Sequence, residues 1–424
     1  MPKLKRKKHS KRKISARRPT KSAVKKTRKK IVFIVVDGMA DLPVGSNGGK
    51  TPLSAARKPN TEWLAKNGMC GELLIMEKKV WDKHIVAGSH LCNIGLLSYN
   101  VKDTYAQRGP LEAVGADIPY HEGHLAIRCN FSTVDKDLVV LDRRAGRNTT
   151  GLDELAKYIN THVDLGVPFI FKRTFEHRAV LIIKEKLSDK ITTNDPFIEG
   201  QRAQYVQALS PEANKAASLV EDFVDKSRNI IEYHPINEQR IRSGIRPANY
   251  IIARQAGNRL PPLKQKFAHS HKLKAVVIAE NGVMKSTCML AGFDSITVPE
   301  MKPEMTLKFI FENISDALAD YDFVYAHIKG VDEFAHDGDF FGKQQAIEKF
   351  DNFLASFKNF DGILIITCDH ITSTLNRRHE WGPVPVLVYG RGKDKVGKFD
   401  EFSVKKGKLK QMTPTKFWRF VFRR

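Results

Sequence analysis

Aspartate and histidine residues recur where apolar segments of the sequence end, and they could bind metal ions. Asp332 and His336 are four residues apart, so a helical turn would place both side chains on one face. Carboxylate and imidazole donors together suit Mn²⁺ or Zn²⁺, whereas cages of oxygen atoms favour Mg²⁺ or Ca²⁺. The pattern therefore predicts a transition-metal site. Its candidate ligands are Asp37, Asp332, His336, Asp369, His370 and His379.

A serine in the segment VAGSHLCNIGLLSYN is the candidate nucleophile. Two metal ions about 3.5–4 Å apart can stabilise both oxygens of a phosphoryl transfer. A bound ion can also hold a serine as its alkoxide. Gly88 would let the turn expose the hydroxyl of Ser89. The segment has no G-x-S-x-G pattern, and the spacing of residues predicts no Ser-His-Asp arrangement.

Arginine-rich segments in the middle of the chain could recognise an anionic substrate. They are DRRAGR (142–147), EHR (176–178), RPAN (246–249) and ARQAG (253–257). The planar guanidinium group matches the geometry of phosphate and carboxylate groups. DRRAGR is the densest of these segments, so we interpret the set as a substrate-binding surface.

Short apolar runs that alternate with helical stretches must position these residues. The predicted strands are 31–38, 274–280, 322–330, 362–370 and 383–390, and the predicted helices are 51–68, 303–321 and 342–360. This alternation predicts an α/β fold with a doubly wound, mostly parallel sheet. Ligands of such sheets bind beyond the carboxyl ends of the strands, where three of these segments carry Asp or His.

The pattern changes between about residues 105 and 267. Alternating segments at 124–135, 137–144 and 177–185, with helices near 151–160 and 211–231, predict an inserted α+β domain. The sheet domain would then comprise residues 31–104 and 268–412. Residues 413–424 are expected to form a basic and aromatic C-terminal tail.

The positive charge of the chain is concentrated at its start. Residues 1–30 contain 16 of the 71 Lys and Arg residues and no Asp or Glu, within a net charge of +24. We expect this segment to be a disordered tail that contacts RNA or DNA phosphates without sequence specificity, or a solvated extension. It has no apolar signal region, and five cysteines without a C-x-x-C pair favour a reduced, cytoplasmic protein. Nothing in the sequence predicts membrane insertion or an oligomeric state.

Many segments together resemble the archaeal-type 2,3-bisphosphoglycerate-independent phosphoglycerate mutases, of the alkaline phosphatase superfamily. The similarity extends from about residue 31 to residue 388. The segments that carry it include VVDGMAD, KTPLSAARKPNTEWLAKNG, GSHLCNIGLLSYN, RGPLEAVGA, RCNFSTVD, DRRAGR, HRAVLI, HPINEQRIRSG, AHIKGVDEFAHDGD, TCDH and HEWGPVPVLVYG.

The resemblance implies a fold like that of alkaline phosphatase and two divalent ions, with Mn²⁺ expected and Co²⁺, Zn²⁺ or Mg²⁺ as alternatives. It implies no use of 2,3-bisphosphoglycerate as a cofactor. One ion would be bound by Asp332, His336 and His379, and the other by Asp37, Ser89, Asp369 and His370. Ser89 would accept the phosphoryl group. Arg143, Arg147, Arg178 and Arg254 would bind the phosphate and carboxylate of the substrate, with Asp142 near its hydroxyls.

The sequence departs from the family pattern around these ligands. His90 and Asn93 stand where the family has Asp and His, in GSDTAHL. Glu380 and Gly382 replace the usual residues of H-S-x-D-P-V-P, and Gln107 replaces a common Gly. Because residues behind the ligands tune metal affinity, these changes bear on substrate and rate.

Three functions follow from the residues and the resemblance. The first is interconversion of 3-phosphoglycerate and 2-phosphoglycerate in glycolysis and gluconeogenesis. The second is a related metal-dependent phosphatase or mutase that acts on another small phosphate ester. The third is a nucleic-acid-associated protein that has kept the fold with weakened catalysis, which the altered GSHLCN segment and the basic tail would favour.

Overall fold

The computed structural model describes residues 28–83 and 88–423. Its strands are β1 Ile31–Val36, β2 Gly68–Leu73, β3 His124–Val134, β4 Val140–Asp142, β5 Phe169–Phe175, β6 Arg178–Lys186, β7 Tyr250–Gly257, β8 Ala275–Glu280, β9 Asp294–Val298, β10 Phe323–Ile328, β11 Ile363–Thr367, β12 Ile371–Ser373, β13 Arg378–Glu380, β14 Val384–Tyr389 and β15 Lys410–Met412.

The α-helices connect and cover these strands. They are α1 Pro52–Ala55, α2 Pro59–Lys66, α3 Lys78–Lys83, α4 Ser89–Leu96, α5 Arg108–Gly115, α6 Leu152–His162, α7 Asn214–Ile231, α8 Pro235–Arg242, α9 Phe267–Ser270, α10 Val283–Leu290, α11 Pro303–Asp320, α12 Val331–Asp337, α13 Phe340–Phe353 and α14 Pro414–Phe422. No helix of the described ranges is both long enough and apolar enough to cross a membrane.

The central sheet has eight strands in the order β15-β2-β14-β11-β1-β10-β8-β9. Strands β11, β1, β10, β8 and β9 run parallel to one another. Every residue of β1, β10 and β11 is buried, because helices cover both faces of a doubly wound sheet. The predicted α/β fold with a mostly parallel sheet is confirmed.

The edges of the central sheet differ from the prediction. Strand β14 is antiparallel to β11 and β2, although its apolar sequence resembles that of a parallel strand.

The single helix predicted at 51–68 is two helices, α1 and α2. The second begins at Pro59, whose ring fits the first turn of a helix but not its interior. Strand β2 then begins at Gly68, where a Cβ would lie 2.7 Å from the Val388 carbonyl oxygen.

A second sheet is formed by strands β3 to β7, with β3 paired to β4, β6 and β7, and β5 paired to β6. Its apolar core includes Phe131, Phe171 and Phe223 and excludes the residues of the first core. Helices α6 and α7 pack on this sheet, close to the predicted helices at 151–160 and 211–231.

The two ends of the chain differ. Residues 1–27, which make up most of the tail predicted to be disordered, lie outside the described residues. At the other end, residues 414–422 form α14, where Phe417, Trp418 and Val421 are buried. The Trp418 indole donates a hydrogen bond to the Leu96 carbonyl oxygen at 2.6 Å. The final helix is therefore attached to the central core.

Candidate active site

The carboxyl edge of the central sheet gathers the predicted metal ligands. Asp37 follows β1, Asp369 and His370 connect β11 to β12, and Asp332 lies in α12 just after β10. His379 reaches the same edge from β13, which pairs with β12 so that His379 lies opposite Thr372. Adjacent parallel strands end at one edge, and this topology brings residues far apart in sequence into contact.

One group of donors consists of Asp332, His336 and His379. The i, i+4 spacing on α12 places His336 Nε2 3.2 Å from Asp332 Oδ2. His379 Nε2 lies 3.2 Å from His336 Nε2 and 3.6 Å from Asp332 Oδ1. One donor atom from each of the three residues falls within 4.8 Å of the other two. A single cation could contact all three.

A second group surrounds Ser89 at the first position of α4. Its Oγ lies 3.2 Å from His370 Nε2 and 3.4 Å from Asp37 Oδ1. His370 Nε2 also lies 3.2 Å from Asp37 Oδ1 and 3.4 Å from Asp369 Oδ2. The four residues named as ligands of the second ion are therefore neighbours in space.

Thr372 connects the two groups. Its hydroxyl donates a hydrogen bond to Asp332 Oδ1 at 2.6 Å. The same oxygen lies 2.9 Å from Nδ1 of His370. The hydroxyl therefore orients a carboxylate of one group and an imidazole of the other.

The carboxyl groups of this edge repel one another. Burial and the charge of Asp37 raise the pKa of Asp369 well above its usual value. Burial also opposes ionisation of Asp332, but hydrogen bonds from His336 and His379 hold its pKa well below the usual value. The hydrogen bond to Asp332 in turn raises the pKa of His336 to about 9. Cations bound among these groups would offset the repulsion.

Gly38, next to Asp37, leaves room for the side chains of Asp332 and Thr372. Gly38 has a φ of 59°, and a Cβ on it would lie 2.5 Å from both Asp332 Oδ1 and Thr372 Oγ1. Its amide donates a hydrogen bond to Asp369 Oδ1 at 3.1 Å.

Three overlapping sets of Asp and His donors have the separations needed to hold metal ions. They are drawn from Asp37, His327, Asp332, His336, Asp369, His370 and His379. The chemistry and spacing of the donors fit divalent cations.

The departures from the family pattern lie behind the ligands. Asn93 donates a hydrogen bond to Asp369 Oδ2 at 2.9 Å and accepts one from the Tyr325 hydroxyl. An amide here can support the carboxylate in place of an imidazole. Glu380 accepts hydrogen bonds from the side chains of Asn376 and Arg378, while a Cβ on Gly382 would meet Ile371. His90 is buried in α4, and Gln107 precedes α5.

A cavity of about 230 Å³ joins the metal-binding edge to the second sheet. Asp37, Ser89, Asp332, His336 and His379 form one side of it. The cationic side chains that line it are Arg108, Arg128, Arg144, Arg147, Arg178, Arg254 and Lys329. Glu112, Glu176, Glu280 and Glu333 also line the cavity, so the lining apart from the candidate metal ligands has seven positive and four negative side chains, a net charge of +3 that favours an anionic ligand.

The cavity is lined by three of the predicted substrate arginines, Arg147, Arg178 and Arg254. The other two predicted substrate residues, Asp142 and Arg143, do not line it. Arg143 instead pairs with the buried carboxylate of Asp195, through distances of 2.9 and 2.6 Å. Asp142 accepts hydrogen bonds from the backbone amides of Arg144 and Gly146. Both residues shape the loop that carries Arg144 and Arg147.

Arg108, Arg128 and Lys329 were not among the candidate substrate-binding residues, and Arg144 was included only as part of the segment DRRAGR. Arg108 and Glu112 in RGPLEA are four residues apart, a spacing that predicts an ion pair on a helix, and their side chains are 3.0 Å apart. Arg128 lies 3.3 Å from the same Glu112 oxygen. Lys329 lies between β10 and Asp332 and pairs with Glu280 at 2.7 Å.

The positive potential of the cavity is visible in its other groups. Burial opposes ionisation of Glu112, yet Arg108 and Arg128 lower its pKa to about 2. Burial, together with four nearby arginines, lowers the pKa of His177 to about 2. The buried Nε donors of Arg108, Arg178 and Arg254 have no hydrogen-bond partner within the described residues.

Comparison with known proteins identifies the same type of enzyme. The family model described as 2,3-bisphosphoglycerate-independent phosphoglycerate mutase matches residues 65–237. A relative of that name from Methanosphaera stadtmanae is 38% identical over 89% of this chain and 93% of its own length. Another, from Methanothermobacter thermautotrophicus, is 38% identical over 85% of this chain and 88% of its own.

Solved structures agree with the sequence relatives. The cofactor-independent phosphoglycerate mutase from Thermoplasma acidophilum has a TM-score of 0.59 and 30% identity, and the match covers 93% of this chain and 99% of that one. A protein from Pyrococcus horikoshii has a TM-score of 0.73 and 26% identity, covering 93% of this chain and 97% of its own. These similarities extend over nearly the whole chain, and we conclude that it belongs to the 2,3-bisphosphoglycerate-independent phosphoglycerate mutase family.

Proposed function

We propose that this protein interconverts 3-phosphoglycerate and 2-phosphoglycerate through a phosphoserine at Ser89. The observation that carries the proposal is that Ser89 Oγ contacts Asp37 and His370 and that Ser89 lines the same cavity as the arginines. Phosphoglycerate carries a phosphate and a carboxylate, and both could be bound by arginines there. The family relationship supports the same reaction.

The proposed ligands form two sets. Asp332, His336 and His379 would hold one ion. The other would be held by Asp37, Ser89, Asp369 and His370. Mixed oxygen and nitrogen donors favour Mn²⁺, with Co²⁺, Zn²⁺ or Mg²⁺ as alternatives. Bound ions would lower the pKa of the Ser89 hydroxyl and neutralise charge on the transferring phosphoryl group.

The reaction consists of two transfers. In the first, Ser89 Oγ bonds to phosphorus, the bond from phosphorus to the 3-oxygen of glycerate breaks, and the serine proton ends on that oxygen. In the second, the 2-oxygen of glycerate bonds to the same phosphorus, Ser89 Oγ leaves, and the hydroxyl proton of glycerate returns to the serine. Arginines of the cavity would keep glycerate in place while it exposes its other hydroxyl.

Exclusion of water decides whether such a site is a mutase or a phosphatase, because water would hydrolyse the phosphoserine. Ion pairs join the inserted module to the metal-binding part across the cleft. Arg147 lies 3.7 Å from Glu333 and 3.7 Å from Asp337, and Arg173 lies 2.7 Å from Glu300. We propose residues 105–267 as a substrate domain that closes on residues 31–104 and 268–412.

Phosphorus NMR of 3-phosphoglycerate with the metal-loaded protein tests the proposal. We expect the 2-phosphoglycerate signal to grow with little free phosphate. Free phosphate as the main product would favour the phosphatase alternative. No turnover of 3-phosphoglycerate with Mn²⁺, Co²⁺, Zn²⁺ or Mg²⁺ would contradict the proposal and leave an enzyme that acts on another small phosphate ester or the nucleic-acid-associated protein.

Three further proposals concern the context of the enzyme. Residues 1–30 would contact RNA or DNA phosphates, because their charge is wholly positive. The five cysteines are all free thiols, which supports a location in the cytoplasm. Residues 413–424 would belong to the sheet domain, because α14 packs on the core of that domain.

A further inference from the structure

His327 is a buried residue of β10 to which the proposed function assigns no role. It is the fifth residue of the strand, and 2% of its surface is exposed. Neither of its ring nitrogens has a hydrogen-bond partner within the described residues. Burial of an imidazole without such a partner is costly, because the ring loses its hydrogen bonds to water. A ligand bound to the ring would offset this cost.

The register of the central sheet directs the His327 ring toward the metal-binding edge. His327 lies opposite Val35 of β1. Alternate residues of a strand share a face, so His327 lies on the same face of the sheet as Asp37, two residues beyond Val35. Tyr325 shares this face of β10, and its hydroxyl donates a hydrogen bond to Asn93, which in turn supports a candidate metal ligand. This face of β10 therefore lies beside the proposed ligands.

The distances around His327 fit coordination of one ion. A ring nitrogen of His327, an oxygen of Asp37 and an oxygen of Asp369 lie within 4.8 Å of one another. Ligand atoms on opposite sides of an ion, each about 2.2 Å from it, are about 4.4 Å apart. One ion could therefore contact all three residues after small shifts. Two of them, Asp37 and Asp369, are already proposed as ligands of the ion beside Ser89.

We propose that His327 is a fifth ligand of the ion assigned to Asp37, Ser89, Asp369 and His370, and that it favours Mn²⁺ over Zn²⁺ at this position. The inference rests on the two-ion site of the proposed function. Zn²⁺ in protein sites is usually bound by four ligands in a tetrahedron, whereas Mn²⁺ favours the octahedral geometry of six. A fifth donor brings the position closer to the coordination of Mn²⁺.

Calorimetric titration of the metal-stripped, full-length His327→Leu variant with Mn²⁺ and with Zn²⁺ tests the proposal, because leucine offers no donor atom. We expect one of two Mn²⁺ ions to bind at least about 100-fold more weakly than in the wild type, since losing a ligand should cost no less than losing the partner of a ligand. Affinity for Zn²⁺ should fall about tenfold or less, because the four remaining donors suit a tetrahedron.

Val324→Ala is the matched control for packing in β10. Val324 is fully buried, and its position three residues before His327 places it on the opposite face of the sheet. We expect its affinity for both metals to stay within about twofold of the wild type. Equal losses of Mn²⁺ and Zn²⁺ affinity in His327→Leu, or equal weakening of Mn²⁺ binding in Val324→Ala, would show that His327 acts through packing and would overturn the proposal.

Proton NMR of the Co²⁺-loaded wild type does not depend on any substitution. A histidine bound to Co²⁺ gives a strongly shifted signal from the N–H of its other ring nitrogen, which usually has a hydrogen-bond acceptor. We expect four such signals that disappear in D₂O, from His327, His336, His370 and His379. Three signals in the wild type would overturn the proposal.

These measurements need no substrate, so failure of this inference can be distinguished from failure of the proposed function. Two Mn²⁺ ions bound with equal affinity in the wild type and in His327→Leu would overturn only the role of His327. A wild type that binds no divalent ion would overturn both.

Discussion

The imidazole rings of His370 and His379 stack with their centroids 3.9 Å apart. One ring belongs to each proposed set of metal ligands, so the two sets share a boundary. His370 follows β11, and His379 lies in β13, nine residues after His370 in the chain. The orientation of each ring therefore depends on both sets of candidate ligands.

The assignment of His379 to only one ion predicts the metal content of a variant. We expect His379→Ala to retain about one divalent ion per chain where the wild type holds two, because the Ser89 group keeps all of its ligands. Mutase activity should be lost, since one ion cannot stabilise both transferring oxygens. Elemental analysis of dialysed, folded protein measures the stoichiometry. His121→Ala, at an exposed position, is the control, and two ions retained in His379→Ala would refute the assignment.

The hydroxyl of Thr372 should control metal affinity without binding a metal itself. Thr372→Val removes the hydrogen bond to Asp332 and the contact with His370 but keeps the shape of the side chain. We expect affinity for Mn²⁺ to fall about 10- to 100-fold, as it does when partners of metal ligands are removed. Calorimetric titration of stripped protein measures it. Thr367→Val, which loses a hydrogen bond to the Pro385 carbonyl oxygen, is the matched control. Equal affinity in both variants would contradict the role of Thr372.

Arg108 and Arg143 should have different functions, although both are close to the substrate region. Arg108→Ala removes a charge that lines the cavity and leaves the buried Glu112 with Arg128, so we expect KM for 3-phosphoglycerate to rise about tenfold to hundredfold. Arg143→Ala leaves the buried Asp195 with Arg254 as its remaining ion-pair partner. Because Asp195 keeps one ion-pair partner, we expect the variant to lose about 1.5–3 kcal/mol of unfolding free energy, the range for a hydrogen bond to a charged group.

Steady-state kinetics and urea unfolding of the two arginine variants make this distinction. A larger rise in KM for Arg143→Ala than for Arg108→Ala would restore the sequence-based assignment of Arg143 as a direct substrate ligand.

Glu401 should make stability depend on pH. Burial raises its pKa from 4.5 to about 7, despite hydrogen bonds from the Thr51 hydroxyl and the Asp41 amide. Between these values the folded protein keeps the proton and the unfolded chain loses it. The contribution to the free energy of unfolding therefore falls as pH rises from about 4.5 to about 7, by up to about 3 kcal/mol.

Urea unfolding across this pH range measures the effect of Glu401. We expect Glu401→Gln to reduce the slope with pH, whereas the exposed Glu154→Gln should leave it unchanged. The same slope in wild type and Glu401→Gln would show that the carboxyl is ionised in the folded state.

Spacing and strand ends were sufficient to predict from the sequence that the candidate metal ligands meet at one edge of the sheet. Asp332 and His336 share a helical face, and parallel strands must end together, so local rules placed these residues correctly. The roles of the arginines could not be predicted in the same way. Whether Arg143 faces substrate or Asp195 depends on a contact across 52 positions of the chain, which no local pattern encodes.

The direction of β14 was also beyond the sequence. A strand covered on both faces is apolar whether its neighbours are parallel or antiparallel. The direction of the strand is decided only by the chain segment that connects it to the preceding strand. Here the β12–β13 hairpin lies between β11 and β14, so the chain returns in the opposite direction. The same hairpin brings His379 back to the site.

The most direct test of the proposed function is mass spectrometry of metal-loaded protein quenched in acid within milliseconds of mixing with 3-phosphoglycerate. The account predicts phosphate on the peptide that contains Ser89, at Ser89 itself, and none in Ser89→Ala, which should be folded but unable to form 2-phosphoglycerate. An unmodified Ser89 peptide, together with mutase activity near that of the wild type in Ser89→Ala, would contradict it.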